Sequence, residues 1–435
     1  MNFKYSLLLL NLMLFSSCKS PEIALLGEKK LYSFTVEYNA NKYIGEINEE
    51  NKTVSVKLPW NSYLADLKSK ADVSAKATYR LTDSTDFSQQ QILTVIAEDK
   101  SNVDYKVLVS NSQRLNLIDA KIEILGCLHL QRDSNQIVMS RFNDTNLAEP
   151  RINYMQNGQT QSGVLIRFRT NSNFVKVKFT ETAGARWGTD YGVWADGVWF
   201  NSYINHNFTL QKPAGKDFVT WEISPSLMNA VKLTNIEIEN GKELIANKMP
   251  AQPQYFAIGN SITQGVGQGN AGYLSYPFLL GRKLGYETYN LAVGGSKVSW
   301  KVATELENRK ADLITILWGY NDWYFVGETA ATYRSTMLAL INKIREYQPN
   351  TPLVCISLIG TENPTPSSGV KIEEYRAVVQ QLVEERKTAG DANIYLLDGA
   401  TIHVELMDKV HPSVKGAADL AVIVENFIKS KIIKQ

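Results

Sequence analysis

The sequence predicts a multidomain chain: two β-sandwiches followed by an α/β domain built on a parallel sheet. Three observations carry this. The 435 residues exceed what one ordinary hydrophobic core holds. Up to about residue 245 the apolar residues fall in short, roughly alternating runs, as half-buried strands do. After the linker-like Pro250-Ala251-Gln252-Pro253, short apolar runs alternate with helical stretches, which implies strands joined by crossover helices.

The first residues precede any fold. Lys4 gives a short positive start, Leu7 to Phe15 is almost wholly apolar, and Ser16, Ser17 and Cys18 follow. Such a run suits a signal-peptide core and is too short to span a bilayer comfortably. Phe15-Ser16-Ser17-Cys18 resembles a bacterial lipobox, with Phe where Leu is usual. The resemblance implies removal of residues 1–17, a lipid on Cys18 and an exported lipoprotein of the outer membrane. A plain secretory signal is the alternative. Residues 18–30 then read as a tether. Cys127 and Cys355 lie in apolar runs and read as buried free thiols, so no disulfide is expected. With a formal charge of +2 and no basic run among aromatics, nothing draws the chain to nucleic acid. The sequence does not indicate an oligomeric state.

Residues 31–112 carry strand runs such as Tyr32–Val36, Thr53–Leu58, Gln91–Ile96 and Tyr105–Val109, with a turn at Glu98–Asn102. They read as a β-sandwich without a polar cluster for chemistry, and a spacer role is expected. The region resembles the immunoglobulin-like modules that precede catalytic domains in Bacteroidetes surface lipoproteins. Residues 115–245 are also β-rich, with runs at Gly163–Arg169, Phe174–Phe179 and Phe218–Ile223 and almost no helical spacing. This region is similar to the jelly-roll domain of carbohydrate esterase family 2 enzymes. It holds the dense aromatic stretch Trp187, Tyr191, Trp194, Trp199, Phe200 and Tyr203. Flat rings stack on sugars, but they equally fill cores and interfaces.

From residue 254 the strands fall at Tyr255–Ile258, Thr288–Val293, Leu313–Leu317, Leu353–Leu358 and Ile394–Leu397. Helices are expected at Tyr276–Leu284, Ser299–Glu307, Ala330–Glu346, Lys371–Thr388 and Pro412–Lys431. Four blocks sit at strand ends or helix starts: Gly259-Asn260-Ser261, Val293-Gly294-Gly295, Gly319-Tyr320-Asn321-Asp322 and Asp408-Lys409-Val410-His411. A flavodoxin-like strand order, 2-1-3-4-5, would gather the first three at the carboxyl edge of the sheet, where open α/β sheets bind ligands. A serine hydroxyl needs a base to become a nucleophile. His411 is the natural base for Ser261, and Asp408, three residues earlier, can orient it. Three donors can meet an oxyanion: the Ser261 N–H, the Gly295 N–H and the Asn321 amide.

With these blocks in place, residues 254–435 resemble an SGNH hydrolase of the GDSL superfamily. The name-giving residues of that family match Ser261, Gly295, Asn321 and His411. One departure stands out: Asn260 occupies a position where the family usually has Asp. The resemblance implies hydrolysis of carboxylic esters, with no metal or organic cofactor. His403 is the rival base, but no acid lies three residues before it, and it reads as a satisfied polar group or a pocket wall. The expected substrate is an O-acetyl group on an oligo- or polysaccharide, with Trp300, Trp318, Tyr320 and Trp323 as candidate sugar-binding rings. A lipid or thioester hydrolase is the alternative within the fold. A glycan-binding surface lipoprotein without activity is the alternative of another class.

Overall fold

The computed structural model describes residues 26–59, 62–182, 188–247 and 250–433. The leader with Cys18, and Trp187 of the aromatic stretch, lie outside the described residues. The chain divides into two compact units, Met1–Ser112 and Gln113–Gln435.

In the first unit two sheets share one core. The smaller has the strand order Asn41–Ile44, Leu31–Tyr38, Lys68–Val73. The larger has the order Glu46–Asn48, Thr53–Lys57, Asn102–Ser110, Gln91–Ile96, Thr78–Leu81. Period-2 alternation decides which side chains enter the core. Tyr105, Val107 and Val109 are buried, while Asp104, Lys106 and Leu108 are exposed. Phe34, Val36, Val54, Val56, Leu93 and Val95 complete the core from both sheets.

The second unit holds a second sandwich and the α/β layer together. The sandwich pairs two antiparallel sheets, one centred on Leu165–Thr170 and Val219–Ser224, the other on Phe174–Glu181 and Val231–Glu239. Phe168, Val175, Val177, Trp221 and Ile236 lie between them. Helical spacing is scarce in this region, but two short helical pieces occur, Asp144–Leu147 and Tyr154–Gln159.

The α/β layer has five parallel strands, numbered here within it: β1 (Gln254–Gly259), β2 (Glu287–Ala292), β3 (Leu313–Leu317), β4 (Leu353–Ile356) and β5 (Ile394–Leu397). Their spatial order is β2-β1-β3-β4-β5, the flavodoxin-like order expected. Every residue of β3 and β4 is buried, as strands covered on both faces should be. The helices are α1 (Ser261–Gln264), α2 (Tyr276–Leu284), α3 (Ala330–Tyr347), α4 (Ile372–Thr388) and α5 (Val414–Lys431). Helix α2 packs on α5, and α3 on α4.

Two sequence boundaries are corrected. The segment expected as a helix over Ser299–Glu307 is a 3₁₀ helix, Trp300–Leu306. Seven residues are few for α-helical propagation, and short pieces tighten to i→i+3 bonding. The last helix starts at Val414 rather than Pro412. Ser413 is its N-cap, its hydroxyl accepting from the Gly416 N–H at 3.1 Å.

The second sandwich is fastened to the α/β layer by polar contacts to two buried carboxylates. Glu305, 2% exposed, accepts from His129 Nε2 at 2.6 Å, the Asn143 N–H at 2.8 Å and the Asn146 amide at 2.7 Å. Arg282 of α2 reaches back to Glu222 at 2.9 Å. An aromatic cluster of Trp194, Trp199, Tyr273 and Phe278 lies along the same seam.

Candidate active site

Ser261 stands two residues past the end of β1, at the start of α1. The turn is tight, and Gly259 allows it: a β-carbon there would lie 2.5 Å from Leu317 O of the neighbouring strand. Asn260 is the N-cap of α1, its side-chain oxygen accepting from the Ile262 N–H at 3.1 Å. An aspartate could make the same cap, so the departure at position 260 removes a charge and keeps the bond. Gly265 closes the short helix with φ +112°.

His411 and Asp408 come from a turn after β5. Leu406 and Pro412 bridge across it, and the Met407 N–H donates to His411 O at 2.8 Å. The turn presents the imidazole to the serine. His411 Nε2 lies 2.8 Å from Ser261 Oγ, and His411 Nδ1 lies 2.7 Å from Asp408 Oδ2. The other Asp408 oxygen accepts from the N–H groups of Val410 and His411, both at 2.7 Å. Burial pushes the Asp408 carboxyl up, but the His411 ring and the two N–H donors outweigh it and hold it below the usual carboxylate range. The loop after Ser261 braces the turn. Gln268 donates to Pro412 O, and a β-carbon on Gly267 would lie 3.0 Å from His411 Cβ.

The expected oxyanion donors gather nearby. A β-carbon built on Gly294 would lie 3.7 Å from Ser261 Cβ, which places the Gly294–Gly295 peptide beside the serine. Gly295 has φ +79°. Among the described residues, neither the Ser261 N–H nor the Gly295 N–H has a hydrogen-bond acceptor. Asn321 Nδ2 donates to Ser296 O at 2.7 Å, which anchors the amide and leaves its second N–H. A serine hydroxyl bonded to an imidazole, beside peptide N–H groups without acceptors, can add to an ester carbonyl and shelter the negative oxygen that results.

A family model matches this region: residues 257–418 fit the GDSL-like lipase/acylhydrolase family. These residues form a GDSL-like domain. A second family model, described as SGBP, N-terminal, matches residues 31–109. No curated protein matches the chain. Among solved structures, a salicylyl-acyltransferase, SsfX3, from a tetracycline biosynthetic pathway is similar at a TM-score of 0.61 and 19% identity, over 74% of this chain and 97% of that one. An acetyl xylan esterase, Est2A, from the rumen bacterium Butyrivibrio proteoclasticus is similar at 0.54 and 12%, over 74% of this chain and 99% of that one. A family two carbohydrate esterase from Clostridium thermocellum, solved with cellohexaose, is similar at 0.53 and 15%, over 67% of this chain and 98% of that one. At these identities the likeness establishes the fold. Together with the GDSL-like domain it supports an esterase.

Around the GDSL-like site several expected sugar-binding rings are placed differently. Trp318 and Trp323 are only 2% and 1% exposed, and their indole N–H groups donate to Ser296 O and Val370 O. Neither has a face open to a sugar. Both lie in the apolar core behind the site, where large rings are worth most. Tyr320 is also buried, its hydroxyl accepting from the Asn363 amide at 2.6 Å. Trp300 is half-exposed, with the Lys343 ammonium over its ring at 5.6 Å. His403 lines a groove of about 470 Å³ with Glu362, Glu373 and Arg376. Among the sandwich aromatics, Tyr191 fills the core and Trp194 the seam, while Trp199 stays half-exposed.

Sequence reading missed the residues that the second sandwich brings to the site. Tyr154, half-exposed, covers Gly295. Asn157 donates to Gly294 O at 2.9 Å. Arg151 binds the buried Asp322 at 3.0 Å and Glu328 at 3.1 Å. Burial, reinforced by Glu328, outweighs Arg151 and pushes the Asp322 carboxyl up to about 7. One signal was available: the polar run Arg151–Gln161 has no strand pattern and interrupts the β-rich region. Phe325, four residues after Asn321, was missed too; it is 72% exposed.

Proposed function

We propose that the chain is a serine esterase that removes O-acetyl groups from carbohydrates through an acyl-enzyme. The carrying observation is the unbroken hydrogen-bonded chain Ser261–His411–Asp408. In this reading His411 takes the Ser261 proton as Oγ attacks the ester carbonyl. Asp408 fixes the tautomer and stabilises the imidazolium. The Ser261 and Gly295 N–H groups and the Asn321 amide receive the oxyanion. The imidazolium then protonates the departing sugar oxygen, which leaves as a hydroxyl, and water, activated by the same histidine, releases acetate.

The carbohydrate part rests on company. Solved relatives of this fold include an acetyl xylan esterase and an esterase holding cellohexaose. Exposed rings near the site, Tyr154 and Phe325, offer faces on which a sugar can stack. The leader ending in Cys18 supports an exported, lipid-anchored protein that meets glycans outside the cytoplasm.

Acetate release from acetylated xylan, pectin and an aryl acetate, with wild type and Ser261→Ala side by side, tests the reading. We expect release by the wild type and none by the variant. Full activity in Ser261→Ala refutes it. A preference for long acyl chains in an aryl-ester series turns it towards a lipid hydrolase. Because one relative of this fold is an acyltransferase, an added alcohol acceptor shows whether the acyl group goes to water.

A further inference from the structure

The Gly294–Gly295 peptide is held from its far side by the second sandwich. Its carbonyl, Gly294 O, accepts from Asn157 Nδ2 at 2.9 Å. Its N–H belongs to Gly295 and is a candidate oxyanion donor. In a trans peptide the C=O and N–H point in opposite directions, so fixing one aims the other. A hydrogen bond on the carbonyl also polarises the N–H, because bonded chains strengthen each other. The preceding peptide is fixed as well: the Gly294 N–H donates to Gln264 Oε1, and Gln264 Nε2 donates to Thr160 Oγ1 at 3.0 Å.

Beneath this lies Arg141, 1% exposed. Its five N–H donors meet five oxygens: Thr160 O at 2.6 Å, Asn290 O at 2.7 Å, Ala292 O at 2.6 Å, Asn157 O at 3.1 Å and Thr160 Oγ1 at 3.2 Å. Among the described residues no carboxylate pairs with it. Burial alone pulls its pKa down to about 9, so it stays charged at neutral pH. The guanidinium thus ties Asn157 to the end of β2, two residues before Gly294, and brings an uncompensated positive charge behind the oxyanion loop. The backbone bends to allow it. Met155 and Gln156 both adopt positive φ, 48° and 64°, a strain that non-glycine residues keep only where surroundings impose it.

We propose that Asn157 is a positioning residue for the ester hydrolysis inferred above: its amide, backed by Arg141, aims the Gly295 N–H at the oxyanion. This rests on the Ser261 esterase reading, and two variants separate it from that reading. Asn157→Ala removes the donor. Asn157→Asp keeps the shape but turns a donor into an acceptor facing Gly294 O. A packing role predicts that the isosteric aspartate behaves like wild type and that alanine is worse. Positioning predicts the reverse order.

The measurements are kcat and KM on an aryl acetate, and the affinity of a trifluoromethyl ketone whose adduct with Ser261 carries the oxyanion. Circular dichroism checks folding. We expect Asn157→Ala to lower kcat about ten- to a hundred-fold with KM nearly unchanged, and Asn157→Asp to lower it further. Ketone affinity falls by the same factor as kcat/KM. Wild-type kcat and ketone affinity in both folded variants, with turnover still abolished by Ser261→Ala, overturns the positioning role alone. A wild type that neither turns over esters nor binds the ketone overturns the esterase reading and this inference with it.

Discussion

The ring of Tyr154 stands so close to Gly295 that a β-carbon on the glycine would lie 2.1 Å from Tyr154 Cδ1. The two residues are 141 positions apart, one in the second sandwich and one at the sheet edge. Gly295 is therefore constrained twice, by its φ of +79° and by the ring. Gly295→Ala is expected to lower kcat about a hundred-fold or more by moving an oxyanion donor, and to destabilise the fold by roughly 1–3 kcal/mol. Adding Tyr154→Ala removes the clash and leaves the backbone strain, so part of the stability should return. Steady-state kinetics and urea midpoints on the two single variants and the double decide it. An unchanged kcat in Gly295→Ala would rule out this peptide as a donor.

Asp322 makes stability depend on pH. Its folded-state pKa of about 7 exceeds the unfolded value of about 3.9, so the native state holds the proton more tightly. The stabilisation is complete below the unfolded value and is lost as pH rises towards 7. The stability gap between wild type and Asp322→Asn should therefore shift against the wild type between about pH 4 and 7, then level off. Urea titrations across that range read it directly. A gap that is constant with pH contradicts the raised pKa.

Buried Glu305 joins the sandwich to the α/β layer through three donors, Asn146 buried and His129 and Asn143 partly buried. Glu305→Ala strands those donors, and a loss of roughly 3 kcal/mol is expected. Glu305→Gln keeps an acceptor and should cost about half as much or less. Because both layers belong to one compact unit, tryptophan fluorescence and far-UV circular dichroism should report a single shifted transition for it. Two separate shifts would show that the layers unfold independently.

The placement of the rings divides stability from affinity. Trp323→Ala, deep in the core, should cost about 3–5 kcal/mol. Phe325→Ala, on the surface, should leave stability within about 0.5 kcal/mol while raising KM for an acetylated oligosaccharide several-fold. Thermal melts together with KM on glycan and aryl acetate separate the two. A Phe325→Ala variant with unchanged KM on the glycan removes that ring from the substrate's path.

Much of this was legible in the sequence because it depends on local spacing. Asp408 and His411 are three residues apart, and one turn brings them together. The parallel sheet followed from strands alternating with helices, and the flavodoxin-like order expected for it gathers Ser261, Gly295 and Asn321 at one edge. The aromatic residues were harder, because a dense run of rings carries no sign of which faces stay open. Trp318 and Trp323 lie in the core, while the half-exposed Tyr154 sits in a segment with no strand or helix pattern. Arg141 left no trace, and the polar run around Asn157 did not name what it touches, since the partners are backbone carbonyls of Asn290, Ala292 and Gly294. A carbonyl is present at every position, so no residue type signals it.

The contacts from Arg141 and Asn157 bear on how this enzyme could be recombined. A chimera joined at Pro250–Pro253 would carry the serine, histidine and aspartate intact. It would also leave Gly294 O without its amide and a gap where the guanidinium lay. Shuffling at the visible linker would thus transplant Ser261, His411 and Asp408 without the support for the Gly294–Gly295 peptide. The portable piece begins at Gln113, well upstream of β1 and Ser261.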